Sequence, residues 1–289
     1  MSSYRIMLIG AHPDDNELTG GGLAALHLAN GGEVKMLSLT DGCRGHHIMT
    51  CEQTRERRYA EIQEVAKKFG LSYDMWDVPD GELEATLENR KRLIRDIRSF
   101  APDLIITHRP CDYHPDHRNA SILVQDASYL LIVPSMCPEA PALKRTPVIA
   151  YSYDRFQNPP FRADFVTPID SVIEQKFGMM HCHVSQFYEW LPYSKGFLEE
   201  VPEGDAERYA WLKTPHYDLD TIARAMQGDA RARNGECRFA VPAVRHRDKL
   251  IEQFGPETGA KIRYAEAFML SEYSGRRDEK TLREIFFVS

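Results

Sequence analysis

The chain opens with a short apolar run, residues 4–9 (YRIMLI), that stops at Gly10. A run of that length, bounded by a turn residue, reads as a buried strand. From residue 16 to 30 the period changes. Leu18, Leu23 and Leu26 recur at spacings compatible with a helix despite the early glycines, and Asn30-Gly31-Gly32 supplies a stop. The alternation then repeats: a strand at 34–39, a charged helix at 54–69 ended by Gly70, and a strand at 73–78. A helix at 90–100 is closed by Pro102 before a fourth strand at 104–107. A helix follows Asp116, a strand is expected at 148–152, and another at 165–167 leads into a helix through Lys176. Strands and helices alternating at these lengths predict right-handed crossovers and a Rossmann-like α/β fold. Its sheet is mainly parallel, with helices on both faces.

The pattern loses clarity after Trp190. Residues 191–243 mix Pro, Gly and charge with short apolar pieces, which reads as a cap or insertion over the core and not as a linker. Residues 264–273 have helical spacing, and IFFV at 285–288 is expected to form a last strand. With 289 residues and no internal repeat, the chain is read as one α/β domain spanning 1–289. It has a core at about 4–190, the cap, and a C-terminal helical elaboration at about 244–289.

Composition narrows the partners. A net charge of −7 offers no basic field for nucleic acid or anionic lipid. The first apolar run is too short for a signal segment or a membrane span, so a cytoplasmic protein is expected. The six cysteines include no C-x-x-C pair, which fits reduced thiols better than a disulfide frame or zinc knot. Homo-oligomerisation is left open. The partner expected is a small-molecule substrate.

The polar clusters lie where chemistry belongs in such a fold, beyond the carboxyl ends of parallel strands. AHPDDNE (11–17) follows the first strand and HRPCDYHPDHR (108–118) follows the fourth. His12 and Asp15 stand three apart on a turn entering a helix, and His114 and His117 repeat the offset. A catalytic zinc takes three protein ligands and keeps one position for water, so one of these four candidates is free for other work. Asp14, beside them, is a natural general base for a metal-activated water. The plainer alternative is a helix start at which Asp14 or Asp15 caps backbone N–H groups. A second His-Pro-Asp motif after a second strand weighs against it. Arg44, Arg58 and His108 lie near strand ends and are candidate substrate contacts, against surface charge or a helix pair of Arg58 with Glu61 as the ordinary alternative.

AHPDDNELTGGG followed about a hundred residues later by HPDH (114–117) resembles the PIG-L, or LmbE-like, zinc deacetylase family. Weaker similarities lie at SLTDG (38–42), RYAEIQEVAKKFG (58–70), HVSQ (183–186) and YAEAF (264–268). The resemblance implies that His12, Asp15 and His117 bind Zn²⁺, that Asp14 activates water, that His114 holds the oxyanion and that Asp116 tunes a neighbouring histidine. It also implies removal of an N-acyl group from an amino-sugar-like substrate. The family also resembles zinc-using hydratases of unsaturated keto acids, which is one rival reading. Two histidines and a carboxylate also describe a non-haem iron site, so Fe²⁺ is the alternative metal. A non-catalytic dinucleotide-binding protein is disfavoured, because Gly10-Ala11-His12 lacks the G-x-G-x-x-G turn.

Overall fold

The computed structural model describes residues 3–213 and 240–288. Seven strands form one sheet in the order β3-β2-β1-β4-β5-β7-β6. They are β1 (Arg5–Gly10), β2 (Glu33–Ser38), β3 (Ser72–Met75), β4 (Leu104–Thr107), β5 (Val148–Ser152), β6 (Phe165–Pro168) and β7 (Ala265–Leu270). The pairs among β1 to β5 are parallel, whereas β7 runs antiparallel to both β5 and β6. The expected mainly parallel α/β sheet is what the chain forms.

The first apolar run is continuous because both of its faces are covered. Ile6 and Leu8 pack with Leu23, Ile62 and Met179, from α1 (Asp15–Ala29), α2 (Cys51–Phe69) and α5 (Ile173–Cys182). Met7 and Ile9 pack on the other face with Leu93, Ile97, Leu123 and Val124, from α3 (Leu87–Phe100) and α4 (Pro115–Ser128). Helix ends follow local chemistry. α2 starts earlier than its spacing suggests because Thr50 and Gln53 form a capping box, and it ends at Gly70 with φ 69°. α3 likewise starts at its Thr86 cap.

Two expectations fail near the C-terminus. Residues 264–273 do not form a helix; they contain β7. Ala265 and Ala267 pack with Val166, Ala243 and Leu250, while Phe268 points to the opposite face, among Leu23 and Ile169. That is a period of two, and sheet pairing overrides the helix preference of Ala, Glu and Leu. The segment 285–288 is not a strand either. It closes a helix, Glu279–Ile285, and lays Phe286 against Phe165 of edge strand β6 with ring centroids 4.6 Å apart. The region 244–289 is therefore mixed. It holds Arg247–Lys261, broken at Gly255 (φ 78°), then β7 and the final helix.

Of the expected cap at 191–243, residues 214–239 lie outside the described residues. Before them, Asp205–Lys213 sends Leu212 into a cluster with Phe177, Met180 and Tyr188. Cys43, Cys51, Cys111, Cys137 and Cys182 are free thiols. Among the described residues, no helix is long and apolar enough to cross a membrane.

Candidate metal centre

From β1 the chain proceeds to β2 and β3 on one side of the sheet, and from β4 to β5 on the other. The crevice between β1 and β4 is thus a topological switch point, the place where ligands bind in such sheets. Ile9 pairs with Thr107, so the two His-Pro-Asp segments leave the sheet side by side, and Ala11 N–H donates to His108 Nε2 at 3.2 Å. Pro115 occupies the first turn of α4 with His114 as the cap, where its missing N–H costs nothing. Asp14 sits at φ 126°, a strained conformation costing on the order of 1–3 kcal/mol.

Three candidate ligand atoms meet in the crevice. His117 Nε2 is 3.2 Å from His12 Nδ1, and Asp15 Oδ2 is 3.4 Å from each of them. A tetrahedral ion with ligands at about 2.0–2.1 Å separates any two of them by about 3.3 Å, so the triangle fits such an ion. The far nitrogens are held by carboxylates. His12 Nε2 faces Asp116 Oδ2 at 3.1 Å and Asp80 Oδ1 at 3.3 Å, and His117 Nδ1 faces Asp112 Oδ1 at 3.0 Å. Those contacts place the proton on the outer nitrogen and turn the lone pair of the other inward, as metal-binding histidines require. Asp116 is fully buried and also accepts from Gly81 N–H and Leu83 N–H, so it ties the loop after β3 to His12.

The electrostatics agree with a cation site. Burial alone would raise the Asp15 carboxyl, but the imidazoles of His117, His108 and His12 outweigh it and hold the group well below the usual carboxylate range. Burial likewise disfavours charge on His12 and His117. The carboxylates of Asp116, Asp15 and Asp80 reverse this at His12, and those of Asp15 and Asp112 at His117, so both are raised. A divalent ion would take the place of those protons.

The remaining candidates surround the triangle. Asp14 makes no helix-capping bond, which removes that alternative for it. Burial pushes its carboxyl up to about 6, against the opposing pull of Arg58. Asp15 does accept from Ala11 N–H and His12 N–H, which aims its carboxylate inward. His114 Nδ1 accepts from Asp116 N–H at 3.2 Å, so its proton resides on Nε2. Burial, with His12 and His117 nearby, lowers its pKa.

Arg58 is nearly fully buried and does not pair with Glu61. It donates to Asp14 Oδ1 at 3.1 Å, to Gly42 O at 3.1 Å and to Pro13 O. Glu61 instead receives Ser185 N–H and the Ser185 hydroxyl. His108 is packed behind the triangle, 3.2 Å from Asp15 Oδ2 and stacked on His117 at 4.0 Å. Arg44 lies on the wall of the cavity with its guanidinium on Glu82 and the Asp80 carbonyl. That cavity, about 930 Å³, is lined by all nine of these residues except Asp116, which stands behind His12.

The sequence pattern does not single out Asp80 and Asp112. Asp112 stands inside the second polar cluster, two residues before His114, and Asp80 precedes Gly81 just past β3. Both positions follow a strand of the parallel sheet, and that is the signal that could have found them.

Buried histidines and carboxylates converging at the switch point of a parallel sheet define an α/β enzyme with a site able to hold a divalent metal ion. The model of the PIG-L family, described as GlcNAc-PI de-N-acetylase, matches residues 7–128. Over those residues the chain is similar to the PIG-L, or LmbE-like, family. It is 29% identical over 224 residues to the diacetylchitobiose deacetylase of Thermococcus kodakarensis, covering 71% of this chain and 80% of that protein. It is 25% identical over 201 residues to the 4-oxalmesaconate hydratase of Pseudomonas putida, covering 67% and 78% respectively. The fold matches the N,N'-diacetylchitobiose deacetylase from Pyrococcus horikoshii with a TM-score of 0.65 at 19% identity, over 94% of this chain and 85% of that one.

Proposed function

We propose that this enzyme hydrolyses the N-acyl group, an acetyl in the first instance, of an amino-sugar-like small molecule in the cytoplasm. The ligand triangle of His12, Asp15 and His117, with Asp14 and His114 beside it, carries the reading. The match to the de-N-acetylase family model and the likeness to a sugar deacetylase support it. Zn²⁺ is the ion proposed, because two imidazoles and one carboxylate with facing atoms 3.2–3.4 Å apart are a donor set that would suit it.

When bound, such an ion lowers the pKa of a coordinated water and polarises the acyl oxygen. Asp14 is the base that accepts the water's proton as oxygen attacks the acyl carbon, and it returns that proton to the amine as the C–N bond breaks. His114 carries its proton on Nε2 and lines the cavity. It donates to the oxygen that becomes negative in the tetrahedral intermediate. Asp116 and Asp112 orient the two ligand histidines, and Asp80 adds to the hold on His12. Arg58 restrains the strained Asp14 turn and His108 backs Asp15, which leaves Arg44 as the proposed substrate contact. Leu191, Ser194, Lys195, Val241 and Pro242 line the same cavity, so the region 191–243 is proposed to help select the substrate.

The test is release of acetate from a panel of N-acetyl sugars by protein loaded with Zn²⁺, at a rate that Asp14→Asn abolishes. The hydratase likeness motivates the second reading. No acetate, with loss of ultraviolet absorbance from an unsaturated keto acid, would replace the first reading by that one. Metal analysis of protein prepared without added metal decides the ion, and iron with oxygen-dependent turnover overturns zinc.

A further inference from the structure

The run HVSQ (183–186) follows α5 with three polar side chains, those of His183, Ser185 and Gln186, that are at most 2% exposed. Burying a polar group is costly unless it is hydrogen-bonded, and each of the three reaches a different segment. His183 Nε2 lies 2.8 Å from Glu17 Oε1 in α1. The Ser185 hydroxyl and N–H donate to the two carboxylate oxygens of Glu61 in α2, each at 2.7 Å. The Gln186 amide donates to the Gly45 carbonyl, in the loop after β2, at 3.0 Å.

All three end points stand beside a group that holds Asp14. Glu17 is three residues on from Asp14, in the first turn of α1, and its other oxygen accepts the Tyr73 hydroxyl at 3.2 Å. Glu61 is one helical turn along α2 from Arg58, which donates to Asp14 Oδ1 and to Gly42 O. A Cβ at Gly45 would stand 2.9 Å from Arg58 Nη1 and 3.6 Å from Gln186 Nε2, so a bare backbone lets the two side chains close on the loop. The three segments that meet at Asp14 are therefore tied together by one run of four residues.

The backbone shows why a tie is needed. Asp14 sits at φ 126°, and such conformations persist only where the surroundings over-determine them. Its side chain makes no bond to the first N–H groups of α1, so the restraint comes from neighbouring segments. His183 Nδ1 is buried with no hydrogen-bond partner among the described residues, which leaves the contact with Glu17 as the polar contact that fixes the ring. The same run opens the π-helical turn Ser185–Trp190, an element that is rare and frequently found at functional sites. Gln186 and Trp190 of that turn line the cavity.

We propose that His183 and Ser185 are positioning residues for Asp14. Through Glu17 and Glu61 they hold the strained turn, and with it the carboxylate that serves as base, in place beside the metal triangle. The role of Asp14 as base rests on the hydrolase reading, whereas the holding of the turn does not.

Two measurements decide it. The first is hydrogen exchange of the full-length protein, read by mass spectrometry over residues 11–19. His183→Ala and Ser185→Ala should each speed exchange there by about tenfold, the order expected when one hydrogen bond to a charged group is lost, and leave α3 unchanged. His183→Gln keeps a donor for Glu17 and should recover most of the protection. Ser185→Ala keeps the backbone bond to Glu61, so it remains informative if His183→Ala does not fold. The second is turnover of an N-acetyl sugar by the Zn²⁺-loaded enzyme. Misplacing a catalytic group by about 1 Å costs up to about 10²-fold, so His183→Ala should lower kcat by about 10- to 100-fold. KM should stay within about twofold, with one ion per chain by elemental analysis, and His183→Gln should restore much of kcat. If no acetyl sugar turns over, the deacetylase reading falls alone, and faster exchange confined to 11–19 still supports the tie. Unchanged exchange at 11–19 in both alanine variants, exchange raised equally along the whole chain, or wild-type kcat in His183→Ala on a sugar that the wild type hydrolyses overturns the proposal.

Discussion

Replacing Asp112 by Asn should weaken the metal site without removing a ligand. Asp112 Oδ1 lies 3.0 Å from His117 Nδ1 and also accepts the His114 N–H at 3.0 Å. The carboxylate fixes the His117 tautomer and makes its inner nitrogen a stronger donor to a cation. An amide of the same size keeps the space filled but loses the charge. Loss of such a carboxylate commonly costs about 10- to 100-fold in metal affinity, which is about 1.4–2.7 kcal/mol. Competition with a chromogenic chelator measures it directly. The metal-free variant should lose only about 1 kcal/mol in urea unfolding, the share of one weakened hydrogen bond. The two effects are therefore separable. A variant that binds Zn²⁺ within twofold of the wild type would refute the assignment of His117 as a ligand oriented by Asp112.

Other outcomes follow from the same geometry. His114→Ala should lower kcat by about 10² to 10³ while metal content, read by elemental analysis, stays at one ion per chain. A parallel loss of metal would make His114 a ligand instead. Lys176→Met should destabilise the fold by about 3–5 kcal/mol, because Glu266, which also receives Gly22 N–H and Leu23 N–H, is left buried without its cation. Adding Glu266→Gln should recover part of that loss in urea unfolding, and no recovery would argue against the pair. Burial lowers His27 to about 4, although its ring bonds the Ile285 carbonyl at 2.9 Å. Below its ordinary value of about 6.5 the unfolded chain takes up a proton that the folded chain refuses. Stability from this group is therefore whole above about pH 6.5 and falls by about 3 kcal/mol as pH drops to 4. His27→Gln keeps a donor and should flatten that slope in denaturation curves at pH 7 and 4.5. An unchanged slope would show that His27 is not the source.

The alternation of strand and helix was legible because local signals agree with it. Thr50 and Gly70 bracket α2, Pro102 separates α3 from β4, and the run ending at Gly10 is apolar at every position that a doubly covered strand requires. The failures lie where packing outvotes propensity. Ala265 to Leu270 favours a helix by composition, yet it fills the gap between β5 and β6, where its backbone groups pair on both sides. IFFV is strand-like by composition and is used instead to close a helix over an edge strand.

At the site, residue types and spacing alone determined that two strand ends carry metal-type side chains, and that four candidates compete for three places. Geometry decided which outer nitrogens are held by carboxylates, and so which atoms of His12 and His117 turn inward. It also decided that Arg58 serves Asp14 and not Glu61. The physical reason is range. Periodicity and turn chemistry act over a few residues and are written in the chain, whereas Asp80 and Arg58 acquire their roles from partners that only the crossing of distant segments brings within 3 to 4 Å.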